Sequence, residues 1–221
     1  MERKLKIIML LIVFFGIVSA SFSPLVFTYL FKETVSQRIS TLEEKDYIIQ
    51  NIIVDSIMES SVNRDIEQHL KDGKGESIYK FYDRITGYRD ITYRIIEQCL
   101  YFDVPINIAL ALCYEESRFY IYAENGIHNK DGSADYGLFQ LNSYVYSEYE
   151  KEYLMDINNN IRFGIQHLRS DYEEYGDWFK AVIAYNSGSI SDVPESTIHH
   201  MAKIFNRARE YDRMYWELRS K

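Results

Sequence analysis

The sequence predicts a mainly α-helical fold, and three observations support this prediction. Residues 104–120, VPINIALALCYEESRFY, form a long, largely apolar stretch in which Pro105 is suited to the first turn of a helix. Apolar residues recur at helical spacing in residues 91–100, 157–168 and 198–205. No segment predicts a large sheet, although a short β-hairpin could begin at Asp135.

The stretch at residues 104–120 is apolar on nearly every side, which is typical of a helix inside a domain. It ends in two adjacent acids, Glu115 and Glu116. Carboxylates are almost never buried without a partner, so these acids are either ion-paired or open onto a cleft. Neighbours on a helix point about 100° apart, so at most one of the two can face a cleft squarely. Residue types alone do not choose between them.

Length and composition narrow the class of protein. A chain of 221 residues favours one domain with extensions, and a net charge of −8 argues against nucleic-acid binding. The two cysteines, Cys99 and Cys113, lie at different distances from the helix corner expected at Asp103, so we expect buried free thiols. No Cys–His cluster has metal-ligand spacing, and neither a metal nor a cofactor is predicted. The 20 tyrosines suit core edges and also sugar-binding clefts.

The N-terminus has the layout of an export signal. Arg3, Lys4 and Lys6 precede an unbroken apolar run at residues 7–18, and small residues follow at 18–20. Apolar character continues to residue 31, and about 25 residues are enough to span a bilayer. Residues 1–31 are therefore predicted to be a cleaved signal peptide or an uncleaved membrane anchor. Both alternatives export the rest of the chain.

The remaining chain divides at two breaks. Residues 32–86 are predicted to be a helical arm or linker, which packs on the main domain, spaces it from a membrane or binds a partner. A loop is expected at residues 72–75, and Gly87 interrupts the helical pattern of residues 76–102. The main domain is placed at residues 87–215. Within it we expect helices at residues 156–170, 178–186 and 196–216, with Asp177 as the N-cap of the second and Gly188 as its stop.

Four blocks in order indicate the chemistry. They are Glu116-Ser117-Arg118-Phe119, Gly137-Leu138-Phe139-Gln140, Asn160-Ile161 with Gly164, and Ala184-Tyr185-Asn186-Ser187-Gly188. In order and spacing the blocks resemble those of the SLT-type lytic transglycosylases, which share a fold with goose- and hen-type lysozymes. The resemblance covers about residues 87–209. It implies a lysozyme-like helical domain, in the periplasm or cell envelope, that cleaves peptidoglycan strands.

The resemblance places the catalytic acid at Glu116 and leaves Glu115 outside the core motif. In that family one acid protonates the oxygen between N-acetylmuramic acid and N-acetylglucosamine. As a carboxylate it then takes the proton of the muramic acid's C6 hydroxyl, and a 1,6-anhydro ring forms without water. The resemblance also implies that Gln140, Tyr185 and Asn186 line the cleft and orient sugar and acid. Ser117 belongs to the same motif, although a serine there can also bond the backbone locally.

Asp135 is the residue on which the type of reaction depends. Residues 129–137 resemble the turn of hen-type lysozymes that carries their second carboxylate, and Asp135 matches that acid. Two carboxyl groups facing each other across a cleft would permit hydrolysis, as in a muramidase. The alternative is that Asp135 caps a turn.

Two positions depart from the family pattern. His200 stands where a family block usually begins with Tyr, and Phe139 replaces the usual Met.

Peptidoglycan strands are the expected partner, with a membrane tether through residues 7–31 and a secretion or flagellar assembly as further implied partners. The alternative from another functional class is a non-catalytic peptidoglycan-binding scaffold. This alternative predicts a blocked cleft or a salt-bridged Glu116.

Overall fold

The architecture is helical with one small hairpin, as the sequence predicts. The structure is a computed structural model that describes residues 61–125, 129–191 and 193–220, all of which belong to one compact unit, residues 52–221. Residues 61–71 lie in helix α1, which precedes α2 (Gly75–Thr86), α3 (Arg89–Phe102) and α4 (Ile106–Ser117). The antiparallel hairpin pairs β1 (Asp135–Tyr136) with β2 (Leu141–Asn142). The remaining helices are α5 (Lys151–Met155), α6 (Ile157–Tyr175), α7 (Trp178–Ser187) and α8 (Glu195–Arg219).

The predicted signal or anchor at residues 1–31 and the first part of the predicted arm lie outside the described residues. Within the described ranges, none of the helices combines the length and the apolar character that a membrane crossing requires.

Helix α4 is the centre of the core. Its first eight residues are all buried, and it packs against α3 and α8. Pro105 occupies the N-cap position, one residue before the predicted first turn, and its carbonyl accepts the N–H of Ala109 at 3.1 Å. Arg118 ends the helix with a left-handed backbone, φ 56°. The fold therefore fixes both ends of this helix and delivers its last turn to the surface of the core.

Local sequence signals set the other helix ends. The Asp156 carboxylate accepts the N–H groups of Asn158 and Asn159 and begins α6. The Asp177 carboxylate accepts the N–H of Lys180 and begins α7, which ends at Gly188 as predicted. These caps satisfy N–H groups that have no partner within the helix.

Both cysteines are buried free thiols, as expected from their positions. Burial raises the pKa of each thiol well above its usual range, so both stay protonated and behave as small apolar residues.

Helix α2 contributes to the same core. The hydroxyl of the buried Tyr82 donates to the side-chain oxygen of Asn107 in α4 at 3.0 Å. The Tyr82 ring also packs against that of Tyr215 in α8, with centroids 6.1 Å apart. Helix α2 thus contacts both α4 and α8.

One buried amide connects α6 to the hairpin. The Asn160 side chain donates to the carbonyls of Tyr136 and Leu154 at 2.7 and 2.8 Å, and its oxygen accepts the N–H of Phe139 at 2.8 Å. One turn later, Gly164 lies so close to the Phe139 ring that an added Cβ would sit 2.3 Å from it. These contacts hold the segment between the two strands against α6.

Replacing Asn160 with Asp should destabilise the domain by about 2 kcal/mol or more, because two buried carbonyls would lose their donor and face a carboxylate. Urea unfolding measures the change. Asn159→Asp is the matched control, since Asn159 is only half-buried and its side chain makes one 3.2 Å bond to the Tyr153 carbonyl. Equal stability of the two variants would contradict a connecting role for Asn160.

Candidate active site

An open cleft of about 1030 Å³ lies where the end of α4 meets the hairpin, α6 and α7. Five of the six site residues predicted from sequence line it: Glu116, Asp135, Gln140, Tyr185 and Asn186. Ser117, the sixth, is not among its lining residues in the described part of the chain. The Ser117 hydroxyl is buried and donates to the Cys113 carbonyl at 3.0 Å, which is the local backbone bond that the sequence left open.

Glu116 is the acid that reaches the cleft. Its side chain is 14% exposed, and its Oε1 lies 3.1 Å from Nε2 of His200 in α8. His200 itself is not among the residues that line the cleft. Glu116 therefore combines partial burial, one polar partner and access to whatever enters the cleft.

Glu115 is held elsewhere by two guanidinium groups. Its side chain is only 3% exposed, and Arg207 of α8 contacts its Oε1 at 2.7 Å through Nη2 and at 2.8 Å through Nε. Arg118 adds a second ion pair at 3.3 Å. Both guanidiniums also pack over the Tyr114 ring, at 3.8 and 4.3 Å from its centroid. Glu115 is thus an ion-paired acid.

Asp135 lines the cleft but is bound on both oxygens by its own hairpin. Asn129 donates to Oδ2 at 2.9 Å, and Asn142 donates to Oδ1 at 2.8 Å. The same two amides donate to the Ser133 hydroxyl oxygen at 3.0 and 2.8 Å. Ser133 in turn donates to Asp131 at 2.8 Å. This network gives Asp135 a turn-stabilising role and a fixed orientation.

Gln140 and Tyr185 are positioned through the backbone of the hairpin. Gln140 adopts a left-handed conformation, φ 46°, and its side-chain amide donates to the Gly137 carbonyl at 2.8 Å. The Tyr185 hydroxyl donates to the Phe139 carbonyl at 2.7 Å. Burial raises the pKa of Tyr185 well above its usual range, and the charge of Glu116 raises it further. Tyr185 therefore remains a hydrogen-bond donor throughout the accessible pH range.

The floor of the cleft contains residues that the sequence analysis missed. His167 of α6 lines the cleft, and its ring packs on that of Tyr185 with centroids 4.9 Å apart. Its Nε2 lies 3.8 Å from Oδ2 of Asp171, too far for a hydrogen bond, and that buried oxygen has no hydrogen-bond partner among the described residues. The spacing offered a signal, since Asn160, Gly164, His167 and Asp171 share one stripe of α6.

Burial governs the charges of this pair. It lowers the pKa of His167, and it raises the pKa of Asp171 to about 7, with a further contribution from Glu174. Both side chains therefore favour their neutral forms. Tyr146, which also lines the cleft, has its pKa raised to about 12 by burial. Below about pH 7, the His167–Asp171 pair therefore adds little charge next to Glu116.

In the described part of the chain, no three His, Cys, Asp or Glu side chains are grouped closely enough to hold a metal ion. The chemistry that this arrangement can support is proton transfer at Glu116, next to aromatic and amide groups that can bind a polar, ring-shaped ligand.

Comparisons with known proteins agree with this arrangement. Residues 94–197 match the family described as "Transglycosylase SLT domain", a range that contains all four motif blocks. The chain is also 29% identical over 126 residues to proteins named "Invasion protein IagB" from Salmonella typhi and from two strains of Salmonella typhimurium. The alignment covers 54% of this chain and 78% of each relative.

No solved structure matches the chain at a significant level. The family match, the motif blocks and the helical fold with its short hairpin nevertheless agree, and the chain resembles the transglycosylase SLT domain family over residues 94–197.

Proposed function

We propose that this chain is an exported peptidoglycan lytic transglycosylase that uses Glu116 first as general acid and then as general base. An SLT domain implies lytic transglycosylase activity on peptidoglycan. The assignment of the catalytic acid to Glu116 rests on the different surroundings of the two adjacent acids, Glu115 and Glu116. Arg207 and Arg118 neutralise the buried Glu115, whereas Glu116 lines the cleft and forms no ion pair with a guanidinium in the described part of the chain.

In the first step, the protonated Glu116 gives its proton to the glycosidic oxygen that leaves N-acetylmuramic acid. The bond from that oxygen to the muramic acid C1 breaks, and positive charge develops on the sugar ring. The Glu116 carboxylate that results lies beside this charge. The Tyr185 ring and the amide groups of Gln140 and Asn186 line the same cleft and would orient the sugar.

In the second step, the Glu116 carboxylate takes the proton of the muramic acid's C6 hydroxyl, and the C6 oxygen bonds to C1. The products are a 1,6-anhydromuramic acid end and a free N-acetylglucosamine end. Glu116 regains its proton, so one group completes the cycle without water, metal or cofactor.

The hydrolysing muramidase is the second candidate, because Asp135 lines the same cleft as Glu116. A hydrolase needs that second carboxylate free to act on water or on the sugar. Asn129 and Asn142 occupy both Asp135 oxygens, which favours the transglycosylase.

The biological setting is proposed from the sequence and the relatives. The relatives carry the name invasion protein. We propose that this chain acts in the periplasm or cell envelope and is either released by cleavage near Ala20 or tethered through residues 7–31. We further propose that it opens the wall for a secretion or flagellar assembly.

Glu116→Gln should reduce the release of soluble fragments from peptidoglycan by at least about a thousandfold, because the amide keeps the shape but cannot give up a proton in the first step. Turbidity clearing and fragment release measure the loss, and an unchanged circular dichroism spectrum shows that the fold is intact.

Glu115→Gln is the matched control. It should keep most of the rate while lowering the unfolding midpoint, because Arg207 loses its carboxylate partner. An inactive but folded Glu115→Gln protein, or an active Glu116→Gln protein, would contradict the assignment.

Mass spectrometry of the fragments should show 1,6-anhydromuramic acid ends and no incorporation of ¹⁸O from labelled water. Asp135→Asn should produce the same ends at a reduced rate, since Asp135 shapes the hairpin. Reducing ends that carry ¹⁸O would establish the muramidase and promote Asp135 to a catalytic acid. Binding to peptidoglycan without any product would support the scaffold instead.

A chelator should leave the rate of fragment release unchanged.

A further inference from the structure

We propose that His200 is a positioning residue that holds the Glu116 carboxyl group through Oε1, so that Oε2 faces the cleft in both charge states of the acid. This inference rests on the proposed function of Glu116. The contact that carries it is the 3.1 Å approach of His200 Nε2 to Glu116 Oε1. His200 does not line the cleft, so it would act through Glu116 and would not touch the sugar.

The contact belongs to a repeated arrangement on α8. His200 and Arg207 lie seven residues apart, which is two helical turns and therefore one face of the helix. This face meets the end of α4, where His200 contacts Glu116 and Arg207 contacts Glu115. One helix thus provides separate partners for two adjacent acids.

The two partners differ in the charge that they impose. A guanidinium is always protonated, and it holds its carboxylate ionised. An imidazole can be neutral near pH 7 and still donate one N–H bond. A neutral His200 could therefore donate from Nε2 to Oε1 whether Glu116 is a carboxylic acid or a carboxylate. This is the property that an acid serving as donor and then as acceptor requires.

The other ionisable groups described around this contact are either bound to partners of their own or uncharged. On α4, Glu115 is neutralised by its ion pairs. On α7, Tyr185 stays neutral because burial and Glu116 raise its pKa. Across the cleft, the Asp135 carboxylate is bound by two amides of its own hairpin.

On α8 itself, the neighbour His199 is exposed and faces Glu195 at 3.7 Å, and Lys203 is exposed one turn later. Within the described ranges, neither forms a hydrogen bond or ion pair with Glu116, and His200 is the α8 side chain placed against that carboxyl group.

The test is to place a permanent charge at this contact. His200→Lys should hold Glu116 ionised, because an opposite charge at this distance moves the titration of an acid by about 1–3 pH units. The rate at pH 7 should fall about tenfold or more. The alkaline limb of the pH–rate profile should move to lower pH by about one unit or more, so that activity recovers as the pH is lowered.

Two further variants separate charge from packing. His199→Lys adds the same charge one residue away and should leave rate and profile unchanged. His200→Gln keeps a hydrogen-bonding amide without a charge, so it should retain more activity at pH 7 than His200→Lys and should not show the acid recovery. A His200→Lys profile that coincides with that of the unmodified protein would overturn the proposal. Uniform loss at every pH would do the same, since it would indicate a packing role.

A measurement without turnover keeps this test separate from the proposed function. The His200 ring signals can be followed by NMR against pH, with Glu116→Gln as the comparison. The midpoint of the ring titration should be lower in Glu116→Gln, because a nearby carboxylate favours the imidazolium. Equal midpoints would overturn the contact even in an active enzyme. A shifted midpoint in a protein without activity on peptidoglycan would preserve the contact and refute the proposed function.

Discussion

The site depends on the packing of α8 against the last turn of α4, and the buried Glu115–Arg207 ion pair secures that packing. The first eight residues of helix α4 are buried on all sides and the helix then ends in two acids, so its last turn needs partners that an apolar core cannot supply. Arg207 supplies a charge-assisted contact with two nitrogens within 2.8 Å of one carboxylate oxygen. With Glu115 directed to α8, helix geometry directs Glu116 toward the cleft.

The family motif blocks are largely scaffolding in this structure. Asn160 provides three hydrogen bonds that hold the hairpin, and Gly164 leaves the space that the Phe139 ring fills. Gly137 turns with φ 73°, so close to the Asn160 amide that a side chain would not fit. Tyr185 bonds the Phe139 carbonyl from the opposite side. Most of the block residues therefore bring the hairpin to α6 and α7, and Glu116 is the one that carries the proposed proton transfers.

Local sequence patterns predicted the helices and the hairpin well, but they did not predict contacts between residues that are far apart in the sequence. Helix periodicity, the cap at Asp177 and the hairpin at Asp135 all follow from neighbouring residues, and the structure confirms them. Pro105 was placed one residue too far into its helix, which is within the usual uncertainty of helix ends. Arg207 lies 92 positions from Glu115 and His200 lies 84 from Glu116, and no local spacing indicates such pairs.

The half-buried carboxyl group of Asp171 couples folding of the domain to proton uptake. Its pKa is raised from 3.8 to about 7 by burial, so the folded chain keeps a proton that the unfolded chain releases between these two values. This contribution to stability is present in acid and declines as the pH rises through that interval, and it is absent above about pH 7. A mildly acidic compartment would thus raise the free energy of unfolding of the domain, whereas an alkaline one would lower it.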